Sequence, residues 1–216
     1  MNKLFDITFI DFDHTLYNTH QLSLKIEDVF SHMGITGEEY QRIMQEAVRG
    51  TSGDYFNYSY ERHSDIAKRD YPHINEQTLL AQLKELGAQS FQDKEAEQFM
   101  EDIREISTVV YLLTAGNSIF QKQKIDQTTL GKYFDDIIIC NGDKPAHIMK
   151  YCTHEEKKLC INDNVKENEA IKQAIPDCLI VGRKHPVKYS EEIYQQSDIL
   201  YFSKLSEIAL YIRKQI

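Results

Sequence analysis

The stretch Ile7-Thr8-Phe9-Ile10-Asp11-Phe12-Asp13-His14-Thr15 runs from strand-forming residues straight into two carboxylates. Side chains of a strand alternate between faces, so Asp11 and Asp13 can share one side while Phe12 turns into the core. Carboxylates paired at a strand end suit metal binding and acid/base chemistry. Asp and Thr in such a place also make turns and helix caps. What the pair does therefore depends on what the rest of the chain brings beside it.

Beyond this run the strand period stops. Leu22, Ile26, Val29, Phe30 and Met33 recur at helical spacing up to Gly34. A second helix is expected from a Thr36/Glu39 capping box through Tyr40, Ile43, Met44, Ala47 and Val48 to Gly50, pairing with the first as a hairpin. Residues 51–74, with Tyr55, Tyr58, Tyr60 and Tyr71, read as irregular. Further helices are expected from the Asn75 cap through Leu79, Leu80, Leu83 and Leu86 to Gly87, and over 93–104. From residue 108 short apolar runs alternate with helical patterns, which marks βαβ units around a parallel sheet. The runs Val109–Leu113, Ile137–Cys140, Lys158–Ile161 and Cys178–Val181 join the first to make five strands. The expected fold class is α/β: a doubly wound parallel sheet, or Rossmann-like core, over 1–17 and 106–216, with an inserted α-helical cap domain over 18–105.

Open parallel sheets bind ligands beyond the carboxyl ends of their strands, and the residues that follow each run are chemically consistent. Asp11 and Asp13 follow the first, Thr114 the second, Lys144 lies after the third, and Asp163 with Glu167 follow the fourth. Singly, Thr114 or Asp163 could be a turn or cap residue and Lys144 a solvated lysine. Together they put acids, a hydroxyl and an ammonium on one rim. In this order they resemble the four motifs of the haloacid dehalogenase superfamily: Ile10 through Leu16, Tyr111-Leu112-Leu113-Thr114, Lys144-Pro145, and Cys160-Ile161-Asn162-Asp163 through Glu167. The match spans the whole chain, and the helical insertion resembles a C1-type cap.

The resemblance implies a magnesium-dependent phosphomonoester hydrolase for a small phosphorylated metabolite, of the nucleotide or sugar phosphate class. Asp11 would be the nucleophile that forms an aspartyl phosphate. Asp13 would protonate the leaving oxygen and then accept a proton from water, which asks for a pKa above that of a free Asp. Thr114, its neighbour Ala115 and Lys144 would contact the phosphoryl group. Mg2+ would sit on Asp11, the Asp13 carbonyl and Asp163, with Glu167 orienting the shell. Gly is usual in the family where His14 and Asn162 stand, and His14 is expected to face solvent. The dehalogenase branch lacks the second acid because halide displacement needs no proton donor, so Asp13 favours phosphoryl chemistry. Specificity would come from the cap, with Arg49, Tyr58, Tyr60, Arg62 and His63 as candidates. A phosphomutase of the same family, a non-enzymatic receiver-like domain and a catalytically weak phosphate-binding protein are the alternatives.

Bulk properties agree. The 216 residues, 41% hydrophobic and 27% charged, suffice for one domain with an insertion. The net charge of -9 opposes nonspecific nucleic-acid binding. No apolar run approaches the roughly 20 residues of a membrane span, and the start does not read as a signal peptide. A cytoplasmic protein with no nucleic-acid or membrane partner is expected, its oligomeric state unspecified. Cys140, Cys152, Cys160 and Cys178 make no Cys-x-x-Cys pair and read as reduced, mostly buried thiols rather than a zinc site with His154.

Overall fold

β1 (Phe5–Ile10) lies near the middle of a six-stranded sheet in which every pairing is parallel. The computed structural model describes residues 3–49 and 56–214, so Gly50 and Tyr55 fall outside the described residues. The remaining strands are β2 (Ser107–Ala115), β3 (Asp136–Cys140), β4 (Lys158–Asn162), β5 (Leu179–Arg183) and β6 (Leu200–Phe202). Their spatial order is β3-β2-β1-β4-β5-β6. The chain thus builds outward from β1 to β3, then returns to β4 on the other side of β1. That reversal leaves a crevice at the carboxyl ends of β1 and β4, where such sheets bind ligands.

Both faces of the sheet are covered, as parallel strands require. Ile7 and Phe9 pack with Leu113, Ile138 and Cys160 in one apolar cluster. Ile10, Leu112, Leu159 and Ile161 belong to the other. The period of two along β1, β2 and β4 therefore places successive residues in different cores.

Between β1 and β2 the described residues form five helices: α1 (Thr19–His32), α2 (Gly37–Val48), α3 (Tyr60–Asp70), α4 (Glu76–Gly87) and α5 (Ala96–Ile106). α1 packs on α4, and α3 on both α2 and α4. α1 and α2 touch where Phe30 meets Tyr40 at 5.4 Å, while α1 packs more extensively on α4 and α2 on α3. α5 packs against β2 and the last helix, α10 (Leu205–Arg213). The core part adds α6 (Ser118–Asp126), α7 (Lys144–Tyr151), α8 (Val165–Ala174) and α9 (Glu191–Gln196). None of the helices among the described residues is long and apolar enough to cross a membrane.

Several expectations are corrected. The Tyr-rich segment contains α3, capped by the Ser59 side chain on the Arg62 amide and burying Tyr60, His63, Ile66 and Ala67 on one side. The Thr36 side chain makes no cap bond, because Gly37 takes φ +57 and breaks the helical geometry that a capping box needs. A sixth strand appears in place of five: β6 is three residues long and sits on the edge. Its Tyr201 ring lies against Gly182 of β5, where a Cβ would fall 2.1 Å from the ring. The four cysteines are free thiols, three of them buried.

Candidate active site

Asp11 continues the line of β1, its amide donating to Ile161 O of β4 at 2.9 Å. The chain then turns sharply: Phe12 O accepts from the amides of Thr15, Leu16 and Tyr17, and His14 takes φ 58. Phe12 is buried and stacks on Tyr17 at 4.9 Å, which leaves Asp11 and Asp13 facing the crevice. Each acid has its own set of partners.

Asp11 Oδ2 accepts from Thr15 Oγ1 at 3.1 Å and Oδ1 from Lys144 Nζ at 2.6 Å. Lys144 stands in the first turn of α7, followed by Pro145, whose missing N–H costs nothing there. Asp143, at φ 47, caps that helix through the Ala146 amide. The same ammonium reaches Glu167 Oε2 at 2.8 Å and Asn162 Oδ1 at 3.2 Å. Asn162 Nδ2 in turn donates to Glu167 Oε2 and to Asn168 Oδ1. Glu167 occupies the first turn of α8, whose cap is Asn164. Asp163, just past β4, is buried with a carboxylate oxygen 3.9 Å from His185 Nε2.

Two carboxylates, Asp11 and Glu167, thus share one buried ammonium, and Asp163 lies on the same cavity. Burial raises Asp11, Lys144 opposes it, and the net result is a pKa of about 6. Asp163 is pushed well up, first by burial and then by the charge of Asp11. Burial alone would lower Lys144, but its two acids hold it above the ordinary lysine value.

Asp13 is arranged oppositely. Its Oδ1 accepts from Lys124 Nζ and Thr19 Oγ1, both at 2.5 Å, and its Oδ2 from Gln121 Nε2 at 2.7 Å. Burial would raise it, but Lys124 and these hydrogen bonds outweigh that and bring the carboxyl down to about 2. The expectation of a raised Asp13 pKa is therefore corrected: a dedicated cation, absent from the sequence reading, stabilises the ionised form. Lys124 is itself buried, with the rings of Phe120, Tyr17 and Phe12 within 5.1–5.6 Å of its ammonium.

Gln121 ties the rim together, donating also to Thr114 Oγ1 at 2.9 Å and Ala115 O at 2.6 Å. Thr114 is buried at the end of β2 and faces the same cavity as Asp11, Asp13, Lys144, Asp163 and Glu167. Every residue singled out from the four strand ends thus meets around one cavity of about 540 Å³. Sequence reading missed Gln121 and Lys124. The available signal was their spacing of three on α6, which puts two polar side chains on its buried side.

His14 does not simply face solvent: its ring lies 3.9 Å from that of His185, and its Nδ1 is buried without a partner. Burial, then the neighbouring His185, depress its pKa to about 4. Of the cap candidates, Tyr58 lines the cavity. Arg62 instead donates to the carbonyls of Glu46, Ala47 and Arg49, and His63 stacks on Phe30 inside the helical core.

Among the described residues no group of three His, Cys, Asp or Glu side chains is drawn together as a coordination shell. The donor set nevertheless fits a hard divalent cation. Asp11, Asp163 and Glu167 offer carboxylate oxygens around one cavity with the Lys144 ammonium beside Asp11 and Glu167, a hard oxygen donor set.

No protein-family model and no curated protein matches the chain. Solved structures do match over nearly its whole length. A Bacillus subtilis HAD-hydrolase, YfnB, described as bound to magnesium, is 16% identical with a TM-score of 0.64, covering 99% of this chain and 100% of that one. A Thermotoga maritima protein assigned as a β-phosphoglucomutase is 15% identical, TM-score 0.69, covering 98% and 100%. An L-2-haloacid dehalogenase is 12% identical, TM-score 0.67, covering 97% and 99%. The chain has the haloacid dehalogenase fold, and proteins of that fold carry out more than one chemistry.

Proposed function

We propose that the protein is a magnesium-dependent phosphomonoester hydrolase, with Asp11 as nucleophile and the helices between β1 and β2 as a cap over 18–105. One observation carries this reading: a second acid, Asp13, stands beside Asp11 with its own buried cation, Lys124. Halide displacement has no use for a proton-handling pair at that point, whereas breaking and remaking P–O bonds does.

In the proposed cycle an oxygen of Asp11 attacks phosphorus and the bond to the leaving oxygen breaks, giving an aspartyl phosphate and an alcohol. Thr15 and Lys144 hold Asp11 ready for attack. The leaving oxygen takes a proton that the Lys124 ammonium delivers through the Asp13 carboxylate. Ionised Asp13 then accepts a proton from the water that attacks phosphorus and passes it back to Lys124, so that phosphate is released and Asp11, Asp13 and Lys124 regain their starting states. Thr114 and Lys144 offer a hydroxyl and an ammonium to phosphoryl oxygens. Asp11, Asp163 and the Asp13 carbonyl, supported by Glu167, would hold magnesium, which supplies positive charge against the anionic phosphoryl group.

Purified protein is expected to release phosphate from para-nitrophenyl phosphate or a metabolite panel with magnesium and to stop in EDTA. Asp11→Asn is expected to lower turnover by about 10³-fold or more with an unchanged circular dichroism spectrum. Equal rates for Asp11→Asn and the natural chain would sink the reading.

A further inference from the structure

The cavity above the acids has two unlike halves. Its floor is the charged rim already described. Its upper wall is built by Leu22 and Ile26 of α1, Met44 and Val48 of α2, Tyr58, and Phe120 of α6. The hydroxyl of Tyr58 is engaged with His63 Nδ1 at 3.0 Å, so the tyrosine offers the cavity mainly its ring. Polar side chains nearby are mostly committed: Thr19 to Asp13, and Asn117 to Asn57 and the amides of α6. His20 and Ser23 are the other polar side chains that α1 contributes to the lining, and His14, Asn164, His185 and Lys188 come from the turns after β1, β4 and β5, at the charged end of the cavity.

A sugar placed against this wall would lose water from several hydroxyls and find few partners, and each unpaired group is costly. An apolar group placed there gains from every buried methylene. The floor, moreover, suits a single phosphoryl group. Lys144 and Lys124 are already engaged with acids, which leaves Lys188 as the further lysine on the cavity lining.

Resting on the phosphomonoesterase reading, we propose that the substrate is the monophosphate ester of a hydrophobic alcohol, its alkyl or aryl body lying between α1, α2 and Phe120. This departs from the nucleotide or sugar phosphate class expected from the sequence.

Two measurements test it separately from the reaction. With magnesium present, kcat/KM is expected to rise about two- to fourfold per methylene from ethyl to butyl to hexyl phosphate. A hexose 6-phosphate and a nucleoside 5′-monophosphate are expected to fall at least about tenfold below hexyl phosphate. Calorimetric binding of ethyl-, butyl- and hexylphosphonate needs no turnover and is expected to tighten in the same series. Met44→Gln, or Val48→Thr should the first variant fold poorly, is expected to flatten both slopes.

If esters are hydrolysed but rates ignore chain length, or the sugar phosphate is preferred, the substrate class is overturned and the hydrolase reading stands. If no ester is hydrolysed, the hydrolase reading fails. In that case phosphonates that tighten with length still support an apolar phosphorylated ligand, and phosphonates of equal affinity overturn it.

Discussion

Asp11 and Asp13 leave the same strand on one turn, yet Asp11 shares Lys144 with Glu167 while Asp13 has Lys124 to itself. The acid that shares its cation is held near pKa 6 and the acid with a private one near 2. The difference teaches that the local motif supplies two equivalent carboxylates and that the helices behind them make them unequal. α7 and α8 bring one ammonium and an extra acid to Asp11, while α6 brings an ammonium and an amide to Asp13.

Removing each cation should expose the contrast. Lys144→Met strands Asp11 and Glu167 in a buried site, and is expected to cost about 3–5 kcal/mol at neutral pH in urea unfolding. The loss should shrink as pH falls toward 6, where Asp11 protonates in the natural chain as well; a pH-independent loss would mean that Lys144 matters by packing alone. Lys124→Met should cost less, about 1–3 kcal/mol, because Thr19 and Gln121 still donate to Asp13. In that variant burial is no longer outweighed, so the Asp13 carboxyl, followed by carbon NMR, should titrate well above 2. An unmoved titration would assign the low value to the hydrogen bonds.

His63 gives a reference away from the rim, a buried imidazole whose Nε2 has no partner. Burial lowers it to about 3, so between pH 6.5 and 3 the unfolded chain binds a proton that the folded chain refuses. Stability should therefore be full above pH 6.5 and drain as pH falls, by about 2 kcal/mol between pH 7 and pH 5 from this residue. His63→Phe should remove that part of the slope; an unchanged slope would place it on other groups.

Much of this site was legible in the sequence, for a physical reason. Strand ends are announced by apolar runs that stop, so Asp11, Thr114 and Asp163 could be placed before any geometry was known, and Lys144 followed the third run. The residues that went unread act through helix faces. Lys124 and Gln121 sit on the buried side of α6, a helix with almost no amphipathic contrast. Asn162, marked in the sequence as a departure from Gly, proves to bridge Lys144, Glu167 and Asn168. β6 and α3 were missed because three edge residues carry little periodicity and a Tyr-rich helix buries hydroxyl-bearing rings in place of aliphatic ones.

The central claim is that Asp11 is the carboxylate that takes up the phosphoryl group. Acid-quenching the enzyme during turnover with magnesium and a phosphate ester, then reducing with borohydride, converts an aspartyl phosphate to homoserine. Peptide mass spectrometry is expected to find homoserine at position 11 and aspartate at position 13. Homoserine at position 13, or at neither position during active turnover, would contradict it.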